Sequence, residues 1–192
     1  MNFVRIWLLG VIHPIRSLDE LKDKPAPQWG LLAVLIRFVT TALIELVPLF
    51  LLGREPFAPS YLTFLSTKDY YQAEIFFLPL FGVALWLLMS GLAHVLLRVA
   101  AKGSDMDRIL NIVGLGMLIP MPVLWACDIV MIALNIFVLP WSAISHATVQ
   151  VWEASLEALG FRRLLRLRIL PAIALALVIN ALYIGLAMIF AR

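Results

Sequence analysis

Runs of apolar residues long enough to cross a bilayer constrain this chain more than any other feature. They lie at 30–52, at 73–97, from 109 onward and at 169–190. A helix needs about twenty residues, at 1.5 Å rise each, to match a hydrocarbon core of about 30 Å. With 63% hydrophobic and 14% charged residues, a soluble domain has too little interior to hide the excess. The expected fold is therefore all-α, a polytopic membrane helix bundle. Residues 30–192 form one membrane domain, because no gap between the runs is long enough for a second folded unit. Residues 1–29 form a cytoplasmic, amphipathic interfacial segment.

Within that segment, residues 6–12 are apolar but end at His13-Pro14 without the small residues of a cleavage site. A short uncleaved helix anchored in the interface by Phe3 and Trp7 is expected instead. Ser17 and Glu20 have capping-box spacing and predict the start of a short polar helix, ended by Pro25 and Pro27, with Trp29 at the interface. The loop at 53–72 carries Pro56, Pro59, Tyr61, Tyr70 and Tyr71. Ser104 is placed to cap the third span, which contains Gly114, Gly116, Pro120 and Pro122. The stretch from 125 to 160 admits two readings. Either a rather polar fourth span runs from about Leu139 to Gly160, or the span covers 129–149 and residues 150–168 lie on the surface as an amphipathic helix. Both give five spans.

Charge supports the odd count. Arg5, Arg16, Lys22, Lys24, Arg98, Lys102, Arg108, Arg162, Arg163, Arg166 and Arg168 fall on one side of such a topology, and Arg54, Lys68 and Arg192 on the other. Eleven against three puts the N-terminus in the cytoplasm and the C-terminus outside, in a cytoplasmic or inner membrane. The net charge of +3 then reflects basic loops facing anionic headgroups, with the Arg162, Arg163, Arg166 and Arg168 cluster the expected lipid contact. No basic face interleaved with aromatics speaks for nucleic acid. Cys127 is the single cysteine, which excludes an intrachain disulfide and cysteine-based zinc sites.

Ionisable side chains inside a span are expensive and so mark candidate sites. Arg37, Thr41 and Glu45, spaced i, i+4, i+8, share one face of the first span. His146, Gln150, Glu153 and Glu157 share a face of the fourth. Counted from Gly30 and Gly160, Arg37 and Glu153 are each seven residues deep, while Glu45 is fifteen deep and His146 fourteen. The expected pairs are Arg37 with Glu153 and Glu45 with His146. They form either a structural seam or a proton or ion pathway. Asp128 and Glu74 read as interfacial. Asn111, Asn135 and Asn180 read as interhelical links, and His94 as bonded to a carbonyl or reaching the interface. Ala172, Ala176, Asn180, Ala181 and Gly185 give the last span a small-residue face for close contact, within the chain or in a dimer.

The segment His13-Pro14, Leu18-Asp19-Glu20-Leu21-Lys22, Pro25 and Trp29, followed directly by a span, resembles the entry to the Ypt-interacting-protein (Yip) domain family. The run from Gly116 to Pro122, and Val151-Trp152, Leu159-Gly160 and Arg168 before the last span, extend the resemblance over nearly the whole chain. It implies a five-span protein with a cytoplasmic N-terminus, of the minimal prokaryotic kind. The longer soluble N-terminus of the eukaryotic members, which are linked to small GTPases and vesicle traffic, is not in this sequence.

No metalloprotease helix motif, phosphate-binding glycine loop, nucleophile elbow or cysteine pair is present. No catalytic residue, metal site or cofactor is assigned from the sequence. The expected role is non-enzymatic: a scaffold or partner subunit that organises proteins or lipids, with a membrane protein partner or a second copy of itself. The alternative is a small transporter or channel component that uses the seam of Arg37, Thr41, Glu45, His146, Gln150 and Glu153.

Overall fold

A computed structural model describes residues 2–22, 26–57, 61–62 and 64–190. The expectations attached to Lys24, Pro25, Pro59 and Arg192 lie outside the described residues. Among those described, all regular structure is helical. Helices α1 (Phe3–Ile12) and α2 (Pro14–Lys22) form an N-terminal hairpin. The first span comprises α3 (Pro27–Thr41), a π-helical turn (Ala42–Leu46) and α4 (Val47–Leu51). Helix α5 (Tyr70–Val99) is the second span. The third is α6 (Met106–Leu118) followed by α7 (Met121–Ala133). Helices α8 (Leu139–Leu164) and α9 (Ile169–Phe190) complete the bundle.

Four of these segments, 28–51, 70–99, 106–133 and 169–190, are long and apolar enough to cross a membrane. The chain is accordingly a multi-pass membrane protein. The fifth long helix, α8, is less apolar, yet it traverses the bundle. Arg108, near the start of α6, donates to the Leu164 carbonyl at the end of α8. Tyr70, at the start of α5, donates to the Phe190 carbonyl at the end of α9. The third span therefore leaves the end that α9 enters, and α8 must cross back between them. Its 26 residues reach about 39 Å at helical rise. Of the two readings of 125–160, the structure contains the one with a span from Leu139. Residues 150–164 are not a surface helix, because Glu153 and Glu157 are fully buried.

Local chemistry sets the joints. Pro27 and Pro140 sit in the first turns of α3 and α8, where a missing N–H costs nothing. Pro120 and Pro122 divide the third span into α6 and α7. The π-helical turn precedes Pro48, whose ring would press on the carbonyl four residues back in a regular helix. Instead the Val47 N–H bonds to the Ala42 carbonyl five residues back. Helices α5 and α7 end alike: Ala101 and Asn135 take positive φ, and the next N–H (Lys102, Ile136) returns to a last-turn carbonyl (Leu97, Met131). Asn135 is thus a turn residue and not an interhelical link.

Several local expectations are corrected. Ser17 does not start α2; that helix begins at Pro14, and the buried Ser17 hydroxyl donates to the Ile6 carbonyl. Glu20 bonds Arg5 rather than closing a capping box. Asp105, not Ser104, caps α6 by accepting from the Arg108 N–H at 3.2 Å. Ser104 instead meets His94 Nδ1 at 2.7 Å. Tyr70 and Tyr71 belong to α5 and are buried, because the helix starts one turn earlier than its apolar run.

The tightest approach joins the first and third spans. A Cβ at Gly114 would land on the Gly30 backbone, and one at Gly30 on the Leu110 carbonyl. The Gly30 N–H also bonds Asn111 Oδ1 at 3.1 Å. Gly160 packs on Ile112, and Gly116 makes room for Glu157. On α9, Ala172 and Ala176 are buried within the chain, whereas Gly185 is open. Phe3 meets Trp29 edge-on at 6.4 Å, and Gly10 meets Ile119 at the break of the third span. The hairpin is thereby fixed to the bundle.

Arg5, Arg16, Lys22, Arg98, Lys102, Arg108, Arg162, Arg163, Arg166 and Arg168 flank the α3-entry end, here called the basic end, whereas Arg54 and Lys68 follow and precede the spans at the far end. All four arginines of 162–168 are exposed. Arg163 Nη1 donates to both carboxylate oxygens of Asp19, at 2.8 and 2.9 Å.

Candidate functional site

Two polar layers cross the apolar interior. The layer nearer the basic end is centred on Arg37, which α3 directs inward and which is 4% exposed. Its guanidinium donates to Glu153 Oε2 at 2.7 Å, to the Met117 carbonyl at 2.8 Å and to the Tyr183 hydroxyl at 2.8 Å. It also lies over the rings of Phe38 and Tyr183, at 5.3 and 5.2 Å. One side chain thus ties α3, α6, α8 and α9. The pair expected from equal depth, Arg37 with Glu153, is the pair in the structure. One helical turn along α8, Glu157 accepts from Asn180 Nδ2, and Asn180 Oδ1 accepts from Gln150. Asn180 is therefore an interhelical link, as is Asn111.

The second layer lies toward the far end. Glu45 and His146, at matching depth in the sequence, lie together, and Asp128 joins them. One donor atom from each of the three falls within 4.8 Å of the others. Glu45 and His146 make no ion pair within 4.0 Å. Asp128 is 0% exposed, so its reading as an interfacial residue is corrected. Glu74 is buried too, for the same reason: α5 and α7 reach further than their most apolar stretches. His146 Nδ1 sits 2.8 Å from the Ser142 carbonyl. Thr41, between the layers, accepts from Trp125 Nε1 at 2.9 Å.

A cavity of about 540 Å³ connects the two layers. Its polar wall is Arg37, Thr41, Glu45, Glu74, His146, Gln150 and Tyr183, and the remaining lining is apolar. A volume of this size suits a small ligand or a hydrated ion. The charge around it is lopsided. Among the described residues Arg37 is the one buried base, against the buried carboxyls Glu45, Glu74, Asp128, Glu153 and Glu157, of which Glu45 and Glu74 line the cavity.

Sequence reasoning omitted Tyr183 and Asp128 from the site. Tyr183 stands three residues after Asn180, on the same face of α9, which was a usable signal. Asp128 shows by depth only once the far ends of the helices are known. It lies five residues before Ala133, Glu45 six before Leu51 and His146 seven after Leu139. At helical rise all three are about 8–10 Å deep. The arginines of 162–168 belong to neither layer.

No family model matches the chain, and no curated protein or solved structure does either.

Proposed function

We propose that the protein is a non-enzymatic small transporter or channel component that takes a small cation into the cavity between α3, α5, α8 and α9. The basic end faces the cytoplasm in this reading. The observation that carries it is the cavity itself: about 540 Å³ inside the membrane layer, walled by Glu45, Glu74 and His146. Ionisable side chains inside a span are costly and are characteristic of ion and proton paths. Arg37 has a different part. Its donors are engaged by Glu153, Met117 and Tyr183, so it holds the helices together while Glu45 serves the cavity.

The scaffold role expected from the sequence has less support. The exposed leucines, isoleucines and valines that would dock a protein partner are those that lipid contact requires of any such helix. The resemblance to the Yip domain family stays within this proposal, supported by its short motifs and by the five-crossing order.

Purified protein in proteoliposomes should pass a cation that empty liposomes retain, and Glu45→Gln should reduce the flux toward the empty-liposome level. If the wild type leaks no faster than empty liposomes across monovalent cations, divalent cations and protons, the transport reading falls.

A further inference from the structure

We propose that Glu45, Asp128 and His146 form a binding site for one divalent first-row transition-metal ion near the far end of the bundle. The inference rests on reading the adjoining cavity as a cation site, and it names the class of cation.

Three spans deliver the donors to one level. The π-helical turn carries Glu45, α7 carries Asp128 and α8 carries His146. π-Helical turns frequently occur at functional sites. The three donor atoms lie within 4.8 Å of one another. Metal bonds of about 2.0–2.2 Å to nitrogen and oxygen place ligand atoms roughly 3–3.5 Å apart. Rotamer adjustments of about 1 Å are enough to close the site.

Asp128 is the observation that most needs a ligand. It is fully buried, and neither carboxylate oxygen accepts a hydrogen bond. A buried carboxylate left so is costly. The one buried base among the described residues, Arg37, already bonds Glu153. A divalent ion supplies the missing charge: two carboxylates and one such ion sum to zero, the arrangement a low-dielectric layer favours.

His146 fixes the metal class. Its Nδ1 faces the Ser142 carbonyl, which can only accept, so in the neutral imidazole Nδ1 carries the proton and Nε2 offers its lone pair to a metal. This matches the outer hydrogen bond that orients metal-binding histidines. An imidazole with two carboxylates suits manganese, iron or zinc; calcium and magnesium prefer oxygen alone, and copper(I) prefers sulfur. Water in the adjoining cavity can fill the remaining coordination positions.

The test uses the full chain in lipid nanodiscs, with Zn²⁺ and Mn²⁺ as probes in equilibrium dialysis. The expected result is one ion per chain, with Mg²⁺ and Ca²⁺ competing poorly. Asp128→Asn and His146→Gln should each weaken binding by roughly tenfold to a hundredfold or more. His13→Gln and His94→Gln, which remove the other two histidines, should leave it unchanged. A variant that fails to fold does not decide the matter, because pulsed EPR of Mn²⁺ on the wild type must show one imidazole nitrogen. Absence of stoichiometric binding, absence of that nitrogen, or loss of binding in His94→Gln overturns the site. Binding without flux keeps the site and removes the transport reading; flux without metal binding does the reverse.

Discussion

Arg37 is 4% exposed and bonds three other helices, which makes it the most informative single residue. It contacts a carboxylate, a carbonyl and a phenol on three other helices. Removing one partner of a buried ion pair costs about 3–5 kcal/mol, since the other charge stays behind. Arg37→Leu should therefore lower thermal stability by about that amount. Arg37→Leu with Glu153→Leu should regain about 1–3 kcal/mol relative to the sum of the single losses. Thermal unfolding in detergent measures both, and strict additivity would show that the pair contributes no coupling.

Among the elements, α3 and α6 depend on having no side chain between them. Any Cβ at Gly114 meets the Gly30 backbone, which cannot move aside. Gly114→Ala should cost about 1–3 kcal/mol by overpacking. Gly185, with nothing within 4 Å of its missing Cβ, is the control. Gly185→Ala should be neutral or stabilise α9 by up to about 1 kcal/mol through helix propensity. Equal losses at the two glycines would show that the spans approach less closely than the structure has them. The linker between α8 and α9 carries a separate prediction. The four exposed arginines at the end of α8 and in this linker can each contribute on the order of 1 kcal/mol at an anionic surface. Replacing Arg162, Arg163, Arg166 and Arg168 by Gln should weaken retention of anionic lipid in native mass spectrometry. Arg163 also holds Asp19, so its replacement should in addition loosen α2.

For the whole molecule, the proposed five-crossing topology predicts termini on opposite sides of the membrane. A reporter fused to the C-terminus should be active outside the cytoplasm, and one fused to the N-terminus inside it. A cytoplasmic C-terminus would mean that α8 does not cross, against the Arg108–Leu164 and Tyr70–Phe190 bonds that fix its two ends.

The sequence by itself determined the class of the molecule and the limits of its apolar spans. Burial in lipid is read from local composition, and helical depth follows from counting residues at a fixed rise. Counting was enough to match Arg37 with Glu153 across 116 positions of chain. It did not extend to α8, whose polar face reads equally as a surface helix until its neighbours are known. Nor did it find Asp128, because a carboxyl at the edge of an apolar run looks interfacial when the length of α7 is unknown. The choice between a buried and a solvated carboxyl depends on what the other helices place over it. Only the packing of the π-helical turn, α7 and α8 against one another brought Glu45, Asp128 and His146 together beside one cavity.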